Sequence, residues 1–458
     1  MNVSALRQQL TQLLHAHELP QDDAPFLWDQ RKRYHSENVV VVLPESVASV
    51  QKIVRFCAEH QVCITPQGGN TGLVGGAYAQ NGVLLNLSKL NKILDISLAN
   101  QSITVQAGCV LADIQAAAQQ VNRFFPLSLA SEGSCQIGGN IACNAGGLNV
   151  VRYGTMRDLV LGLEVVLPDG SLMSHLTPLH KNTTGYDLRH LFIGSEGTLG
   201  IITAATLKLF TAPKANATAW VGVNNIEEAI QLLILLQGTF AERLCSFELI
   251  SDFALQLSAK FSQLAKPLQS SWHILIELTD SLTREDLGDL LAETLFTNGF
   301  EQAVLAQSQQ ESQHFWRLRE NISAAQRDLG VSIKHDIALP IDNIADFVHT
   351  CEKALRQAFS DIEIVVFGHL GDGSLHYNTF LPCKDNTAYQ QEQAINEIVY
   401  QHVLAKQGTI AAEHGIGCLK NQWLSSVRNE HELALMHAIK QTLDPHQLFN
   451  RGKLLPKQ

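Results

Sequence analysis

The chain has 458 residues, 45% of them hydrophobic and 17% charged, so it is long enough for two or three globular domains and too apolar for a disordered protein. Its formal net charge of -11 argues against a nucleic-acid-binding protein, because phosphate binding requires concentrated Lys and Arg. Nine cysteines without a Cys-x-x-Cys pair indicate reduced thiols rather than a disulfide framework or an iron–sulfur ligand set.

The first half of the sequence alternates short strand and helix patterns. Residues 1–20 predict an amphipathic helix, because Arg7 and several glutamines interrupt the apolar stretch that a signal peptide needs. Strand patterns follow at 37–46, 61–66, 82–87, 92–97, 102–108 and 162–170, and helical patterns at 46–60 and 110–121. No apolar run approaches the roughly 18 residues of a membrane span, so we expect a cytoplasmic protein.

Longer helical segments characterise the second half. Small residues and a proline at 210–220 predict a domain boundary near residue 213. Helical patterns at 226–240 and 284–300 alternate with strand patterns at 271–280 and 362–369. This arrangement predicts an α+β protein whose C-terminal domain is an antiparallel sheet covered by helices. We expect an N-terminal helical segment at 1–34, one domain at 35–213 and another at 214–458.

Three stretches contain more glycine than folding requires: PQGGNTGLVGGA (66–77), GSCQIGGNIACNAGG (133–147) and GSEGTLGIIT (194–203). Clustered glycines let backbone N–H groups approach a diphosphate. Neither G-x-G-x-x-G nor G-x-x-x-x-G-K-[ST] occurs, which argues against NAD and ATP. One such loop is more often only a tight turn, whereas three favour a nucleotide site.

In this order the stretches resemble the two-subdomain FAD-binding domain of the vanillyl-alcohol oxidase and p-cresol methylhydroxylase superfamily. The resemblance implies that the first stretch wraps the pyrophosphate, the second lines the diphosphate and the isoalloxazine ring, and the third contacts the adenosine end or the ring. The implied contacts are Pro66, Gln67, Gly68, Gly69, Asn70, Thr71, Gly72, Ser134, Gly138, Gly139, Asn140, Asn144, Gly146, Gly147, Glu196, Gly197 and Ile202. Some members attach the flavin through a histidine where this chain has Asn70, and an amide cannot form that bond. We therefore predict non-covalent FAD.

Two histidines flank a Gly-Asp-Gly turn in VVFGHLGDGSLHYN, residues 365–378. A strand–turn–strand hairpin would bring His369 and His376 to one end, with Asn378 on the face of His376. Glu413, in AAEHGIGCLK, supplies a third potential ligand. Two imidazoles and a carboxylate with an open position suit Zn²⁺, or alternatively Mn²⁺ or Fe²⁺. Each histidine taken alone is more often structural.

Together with LDPHQLFNRGKLLP at 443–456, these stretches resemble the C-terminal domain of FAD-linked 2-hydroxyacid dehydrogenases. The resemblance implies that His369, His376 and Glu413 bind the metal, that His414 is the catalytic base, that Asn378 holds the substrate, and that Asn450 lies near the flavin. Adjacent side chains diverge in an extended strand, so Glu413 would face the metal and His414 the substrate. We also expect the last 40 or so residues to return toward the flavin.

A substrate pocket is predicted from WRLRENISAA and SIKHDIALP. Arg319 and Ser323 are four residues apart, which predicts one face of a helix, and Lys334 falls in a following strand. They resemble substrate-binding residues of D-2-hydroxyglutarate dehydrogenases, which often have Thr where this chain has Ser323. Two cations and a hydroxyl suit the second carboxylate of a dicarboxylate. We therefore expect oxidation of D-2-hydroxyglutarate to 2-oxoglutarate, with D-lactate, glycolate and D-malate as alternatives.

Two functions of other classes fit parts of the sequence, namely a metal-dependent hydrolase and a non-catalytic flavin-binding module. The sequence has neither a cysteine cluster nor a nicotinamide motif that could reoxidise a flavin internally. We therefore expect an external acceptor, such as an electron-transfer flavoprotein or a quinone. The oligomeric state stays open, with a homodimer as one candidate.

Overall fold

The computed structural model describes residues 2–282 and 286–456. In chain order its strands are β1 (Val39–Val42), β2 (Ile64–Gln67), β3 (Gly82–Asn86), β4 (Ile93–Ser97), β5 (Ser102–Gln106), β6 (Arg123–Phe124), β7 (Val160–Val166), β8 (Leu172–His175), β9 (Ile201–Lys208), β10 (Phe210–Thr211), β11 (Ala215–Val223), β12 (Leu244–Ser251), β13 (Trp272–Asp280), β14 (Ala303–Leu305), β15 (Ser332–Ala338), β16 (Glu363–His369) and β17 (Ser374–Phe380).

The α-helices of the same residues are α1 (Val3–Leu13), α2 (Ala24–Leu27), α3 (Val47–Glu59), α4 (Leu111–Gln120), α5 (Ile137–Ala142), α6 (Val150–Tyr153), α7 (Met156–Leu159), α8 (Arg189–Phe192), α9 (Ile226–Phe240), α10 (Asp252–Ser262), α11 (Leu287–Thr297), α12 (Gln309–Glu320), α13 (Ile322–Ala325), α14 (Ile344–Ala358), α15 (Glu392–Ala405), α16 (Leu424–Val427) and α17 (Glu430–Leu443). Within the described residues, no helix has both the length and the apolarity to cross a bilayer.

The chain divides into two compact units. The first comprises the described residues of 1–146, 154–212 and 413–458, and the second comprises 147–153 and 213–412. The chain therefore leaves the first unit twice and returns to it with its C-terminal segment. The boundaries expected at residues 34 and 213 stay predictions.

Two sheets and a two-stranded ribbon of β6 and β10 form the first unit. The smaller sheet is parallel, with strand order β1-β3-β2, and all four valines of β1 are buried. A parallel strand covered on both faces reads as such a continuous apolar run. The larger sheet is antiparallel, with order β4-β5-β9-β7-β8, and β9 is buried along most of its length.

The second unit is built on a seven-stranded antiparallel sheet of order β14-β11-β13-β12-β16-β17-β15. Helices α10, α12 and α13 bury their apolar residues against it. The resulting core is formed by Trp220, Ile250, Ala254, Leu255, Leu275, Phe315, Leu318, Ile322, Val365, Phe367 and Phe380. The α+β class and the antiparallel sheet covered by helices are confirmed.

Most elements lie where the sequence pattern predicts them. The N-terminal helix is α1, the helical pattern at 46–60 is α3, and the strand pattern at 362–369 is β16. The helix expected from residue 284 is α11, which begins at Leu287. Residues 284 and 285 of that expectation lie outside the described residues, as do residues 1, 457 and 458 of the termini. Two local expectations about the site, described below, are wrong.

Candidate active site

The first glycine stretch begins at the end of β2 and packs against the second. A Cβ atom added to Gly69 would lie 2.1 Å from the carbonyl oxygen of Ser134, so only glycine permits this approach. Gln67 is buried and holds the loop from within, because its Nε2 donates to the carbonyl of Phe26 at 3.1 Å and its Oε1 accepts from Asn86 at 3.0 Å. Sequence and fold thus bring two of the predicted cofactor loops into contact.

Asn70 occupies a left-handed conformation in the same loop, with φ of +54°. Its Nδ2 donates to the carbonyl of Trp28 at 2.6 Å. Asn and Gly are the residues that adopt this conformation most readily. The Asn70 side chain therefore anchors the loop to the segment before β1.

The second glycine stretch contains the short helix α5. The backbone N–H of Gly138 donates to the carbonyl of Ala107 at 2.8 Å, which fixes the start of the helix on the end of β5. Asn144 accepts from the backbone N–H of Arg157 at 2.8 Å, and Asn140 is buried inside the loop. Both asparagine side chains therefore stabilise the loop. Gly146 ends the first segment of the first unit, and the last residue of the stretch, 147, is grouped with the second unit.

The third glycine stretch touches both of the others. A Cβ atom on Gly197 would lie 2.5 Å from Cγ of Pro66 in the first stretch. The backbone N–H of Glu196 donates to the carbonyl of Ala142, at the end of α5, at 2.8 Å. Ile202 follows in β9, where it is buried and pairs with Val165.

The C-terminal segment reaches the same loops through Asn450. Its Nδ2 donates to the carbonyls of Glu196 at 2.7 Å and Gly76 at 3.0 Å. Lys453 donates from Nζ to the carbonyls of Gly76 and Tyr78. Burial lowers the pKa of Lys453 to about 8. Within the first unit, the final motif is therefore attached to the first and third glycine stretches.

The space beside these loops, and one buried acceptor within them, fit a bound cofactor. Cβ atoms added to Gly72 or Gly139 would meet nothing within 4 Å, so there is open space beside both loops. The Oε1 of Gln136 is buried and accepts no hydrogen bond from any described residue. A buried acceptor needs a donor, and a flavin ring carries an N–H group that can supply one. The sequence patterns did not single out Gln136.

The Glu196 carboxylate has a use that the sequence did not predict. It accepts the backbone N–H groups of Ile416 and Gly417, each at 2.7 Å. Burial raises the pKa of Glu196, and the two amide hydrogen bonds oppose this rise without cancelling it. Glu196 therefore fixes the Gly-Ile-Gly turn that directly follows His414.

Residues 413 and 414 lie in a bent loop, which corrects the expectation of an extended strand. The preceding segment is held in the second unit, where Thr409 bridges Ala338 and the backbone N–H of Ala412 donates to Asp336 at 3.1 Å. Positive φ angles at Gly415 and Gly417 are incompatible with a continuing strand. The divergence of adjacent side chains along a strand therefore cannot be used to orient Glu413 and His414.

In the second unit, β16, a turn and β17 form the expected hairpin. His369 is the last residue of β16, His376 is the third of β17, and the two ring centroids are 5.8 Å apart. A ligating nitrogen of each ring lies within 4.8 Å of one on the other. Two imidazole nitrogens at this separation suit Zn²⁺ or another divalent transition metal.

The neighbouring strand β15 adds polar residues to the same face of the sheet. Asp336 lies directly opposite His376, and Lys334 lies directly opposite Asn378. Directly paired residues of antiparallel strands share a face. Asn378 is buried and donates from Nδ2 to Gln326 at 2.9 Å. The expected position of Asn378 on the face of His376 is thus confirmed, and the strand position of Lys334 is confirmed with it.

A buried carboxylate that the sequence reading missed connects two of the predicted site residues. Glu248, in β12, is paired with His369 in the ladder, and its Oε1 lies 2.6 Å from Nδ1 of that histidine. Its Oε2 accepts from Arg319 at 2.7 Å. Burial would raise the pKa of Glu248, but its interactions with His369 and Arg319 outweigh it and lower the pKa to about 2. The signal in the sequence is the single acid of the mostly apolar stretch LCSFELIS.

Arg319 and Ser323 do not share one continuous helix, which corrects the second local expectation. The helix α12 ends at Glu320, and α13 begins at Ile322. Between them lies Asn321, which keeps right-handed helical dihedrals and donates from its side chain to Ser262 at 3.0 Å. Arg319 is buried over the ring of Phe367, whereas Ser323 is exposed.

Comparison with known proteins identifies both halves of the chain. Residues 39–175 match the FAD binding domain family, and residues 212–454 match the family of FAD linked oxidases, C-terminal domain. The chain is 36% identical over 441 residues to the probable mitochondrial D-2-hydroxyglutarate dehydrogenase of Oryza sativa subsp. japonica, covering 94% of this chain and 77% of that protein. It is 37% identical over 455 residues to D-2-hydroxyglutarate dehydrogenase of Xanthomonas citri pv. viticola, covering 98% and 95%.

Among solved structures, p-cresol methylhydroxylase with bound substrate aligns with a TM-score of 0.77 at 15% identity, covering 99% of this chain and 97% of that chain. At this identity the likeness concerns the fold, and it confirms the vanillyl-alcohol oxidase type expected from the glycine stretches. The family matches favour an oxidoreductase over a hydrolase. The chain belongs to the FAD-linked 2-hydroxyacid dehydrogenases, it is an FAD-dependent enzyme, and its fold is of the p-cresol methylhydroxylase type.

Proposed function

We propose that the protein oxidises D-2-hydroxyglutarate to 2-oxoglutarate with non-covalent FAD and a divalent metal ion. The observation that carries the proposal is a group of polar side chains on one face of the second unit's sheet, where His369, His376, Asn378 and Lys334 lie on adjacent strands. Relatives that cover most of the chain are named for this substrate. D-Lactate, glycolate and D-malate are the alternative substrates.

The proposed metal ligands are His369, His376 and Glu413. Bound there, Zn²⁺, or else Mn²⁺ or Fe²⁺, would lower the pKa of the substrate hydroxyl. His414, the residue after the third ligand, would accept the hydroxyl proton as general base. The hydrogen bonds from Ala412 to Asp336 and from Ile416 and Gly417 to Glu196 fix the backbone on either side of this pair.

For the cofactor, FAD would accept the hydride from C2 of the substrate. We propose that it is bound by the three glycine stretches and Asn450 as expected from the sequence, with Gln136 added as an acceptor for a flavin N–H. Asn70 cannot form the covalent link known in the superfamily, and its side chain instead donates a hydrogen bond to the carbonyl of Trp28. This supports non-covalent binding.

Substrate selection is assigned to Arg319, Lys334, Ser323 and Asn378. Glu248 already accepts hydrogen bonds from Arg319 and offsets its charge. We therefore assign the second carboxylate of D-2-hydroxyglutarate chiefly to Lys334, which lies beside Asn378 in the ladder. A monocarboxylate such as D-lactate has no group for this contact.

Reduced FAD must pass its electrons on, and we propose an external carrier such as an electron-transfer flavoprotein or a quinone. We also propose a homodimer and a cytoplasmic location, both on the basis of the sequence. The rice relative is named as mitochondrial, so fractionation of the native host cell is the relevant test of location.

Replacing Lys334 by Ala tests the substrate assignment. Loss of a charged hydrogen bond costs about 1.5–3 kcal/mol, so we expect KM for D-2-hydroxyglutarate to rise by about 10–100-fold and KM for D-lactate to change far less. Lys384→Ala, which removes an exposed lysine, is the matched control. Equal losses for both substrates would contradict the assignment and place Lys334 at the carboxylate they share.

A further inference from the structure

Glu248 makes two hydrogen bonds whose chemical requirements differ. Its Oε2 lies 2.7 Å from both Nε and Nη2 of Arg319, and its Oε1 lies 2.6 Å from Nδ1 of His369. The carboxylate is fully buried, and Arg319 and His369 are buried with it. Arginine nitrogens can only donate, whereas a neutral histidine carries its proton on either ring nitrogen. Of the two partners, only the histidine can adapt to a change at residue 248.

We propose that Glu248 is a positioning residue that selects the metal-binding tautomer of His369. An ionised carboxylate only accepts, so the proton of His369 stays on Nδ1 and the lone pair of Nε2 is available for the metal. Hydrogen bonds of this kind orient histidine ligands and strengthen metal binding. The inference rests on the proposed metal role of His369 and adds a residue that the sequence motifs do not contain.

The variant Glu248→Gln separates this role from simple packing. An amide of the same shape has one accepting and one donating end. Because Arg319 offers only donors, the amide oxygen is expected to face Arg319 and the amide NH₂ to face Nδ1 of His369. Nδ1 must then accept, and the proton moves to Nε2, where it blocks metal binding. We expect the affinity for Zn²⁺ to fall by about 10–100-fold.

A second substitution should reverse the effect. In Glu248→Gln combined with Arg319→Met, the amide oxygen is released from the arginine and can accept from Nδ1–H of His369. The double variant should therefore bind Zn²⁺ more tightly than Glu248→Gln alone, and Arg319→Met alone should bind it like the unaltered protein. Glu277→Gln is the matched control, because Glu277 lies in the adjacent strand β13 of the same sheet, opposite Ser246 rather than beside a histidine.

The measurement is Zn²⁺ affinity by competition with a chelator, on FAD-loaded protein, with circular dichroism as the check on folding. Restoration of affinity in the double variant supports the proposal, since a residue that only fills space would give additive losses. Unchanged affinity in Glu248→Gln, or no recovery in the double variant, would overturn it.

A direct measurement needs no variant. In metal-free, unaltered protein labelled with ¹⁵N-histidine, His369 should show a protonated Nδ1 and an unprotonated Nε2, with its resonances assigned by their absence in His369→Gln. The opposite tautomer would overturn the proposal. If the unaltered protein bound no Zn²⁺, the proposed metal site would fail, and this tautomer would still decide the role of Glu248.

Discussion

At the scale of single residues, the proposed reaction depends most on His414. Replacing it by Ala removes the proposed acceptor for the hydroxyl proton and none of the proposed FAD or metal contacts. We expect turnover to become undetectable while FAD and metal contents stay near those of the unaltered protein. Absorbance spectra and metal analysis check the contents, and His402→Ala, a histidine bonded within helix α15, is the control. Loss of both cofactors would show that His414 is structural.

Glu196 is expected to act by fixing the turn after His414. In Glu196→Gln one amide N–H of that turn faces a donor instead of an acceptor, so the turn shifts. A shift of about 1 Å in a catalytic group can reduce kcat by about 100-fold, and we expect a reduction of about 10–100-fold in the kcat of the FAD-loaded fraction. Glu164→Gln, at a half-buried carboxylate bonded to Thr203 in the same unit, should leave kcat unchanged. If Glu196→Gln instead lost FAD while the loaded fraction kept its kcat, the side chain would serve the cofactor.

Sequence patterns predicted the site residues that belong to motifs. They missed residues, such as Glu248, that contact the site residues from other strands. His369, His376 and Asn378 stand in a recognisable hairpin sequence, and the structure places them on one sheet face as expected. Glu248 is 121 residues from His369 in the chain, so only the strand pairing of the folded sheet brings the two together. Local residue patterns do not reveal which residues of two remote strands pair.

At the scale of elements, the contact between the glycine loops is the feature most open to test. Gly69→Ala would place a methyl group 2.1 Å from the Ser134 carbonyl oxygen, so the first and second stretches must separate. We expect most of the FAD to be lost on purification, and thermal stability to fall. Gly133→Ala, where an added Cβ meets nothing within 4 Å, should keep both FAD and stability. FAD-to-protein absorbance ratios that matched for the two variants would contradict the role assigned to loop packing.

Predictions of helices and strands succeeded where hydrophobic periodicity determines the local structure. They failed where hydrogen bonds of single polar residues accompany a break or a bend. The valines of β1 form a continuous apolar run and the buried positions of α3 repeat at helix spacing, and both elements form as expected. The helix containing Arg319 ends at Glu320, and the side chain of the next residue, Asn321, donates to Ser262, a residue remote in sequence. The bend at 412–414 likewise depends on remote residues, Asp336 and Glu196, which bind its flanks.

At the scale of the whole molecule, two of the proposed site segments lie at points where the chain changes unit. The first change follows Gly146, within the second glycine stretch, and the last precedes Glu413, the proposed third metal ligand. Proposed cofactor and metal residues are therefore covalent neighbours of the connections between units. Composition alone indicates only a multi-domain acidic protein, and the motifs, two of them at these connections and the others within the units, specify the chemistry.

The central claim is that a D-2-hydroxy dicarboxylate reduces the FAD of this chain in a metal-dependent step. The measurement is anaerobic bleaching of the flavin absorbance by D-2-hydroxyglutarate, L-2-hydroxyglutarate and D-lactate, with protein stripped of metal and protein reloaded with Zn²⁺. We predict fast bleaching by D-2-hydroxyglutarate in the reloaded protein, slower bleaching by D-lactate, and none by the L-enantiomer or in the stripped protein. Equal bleaching with and without metal, or faster bleaching by the L-enantiomer, would contradict the account.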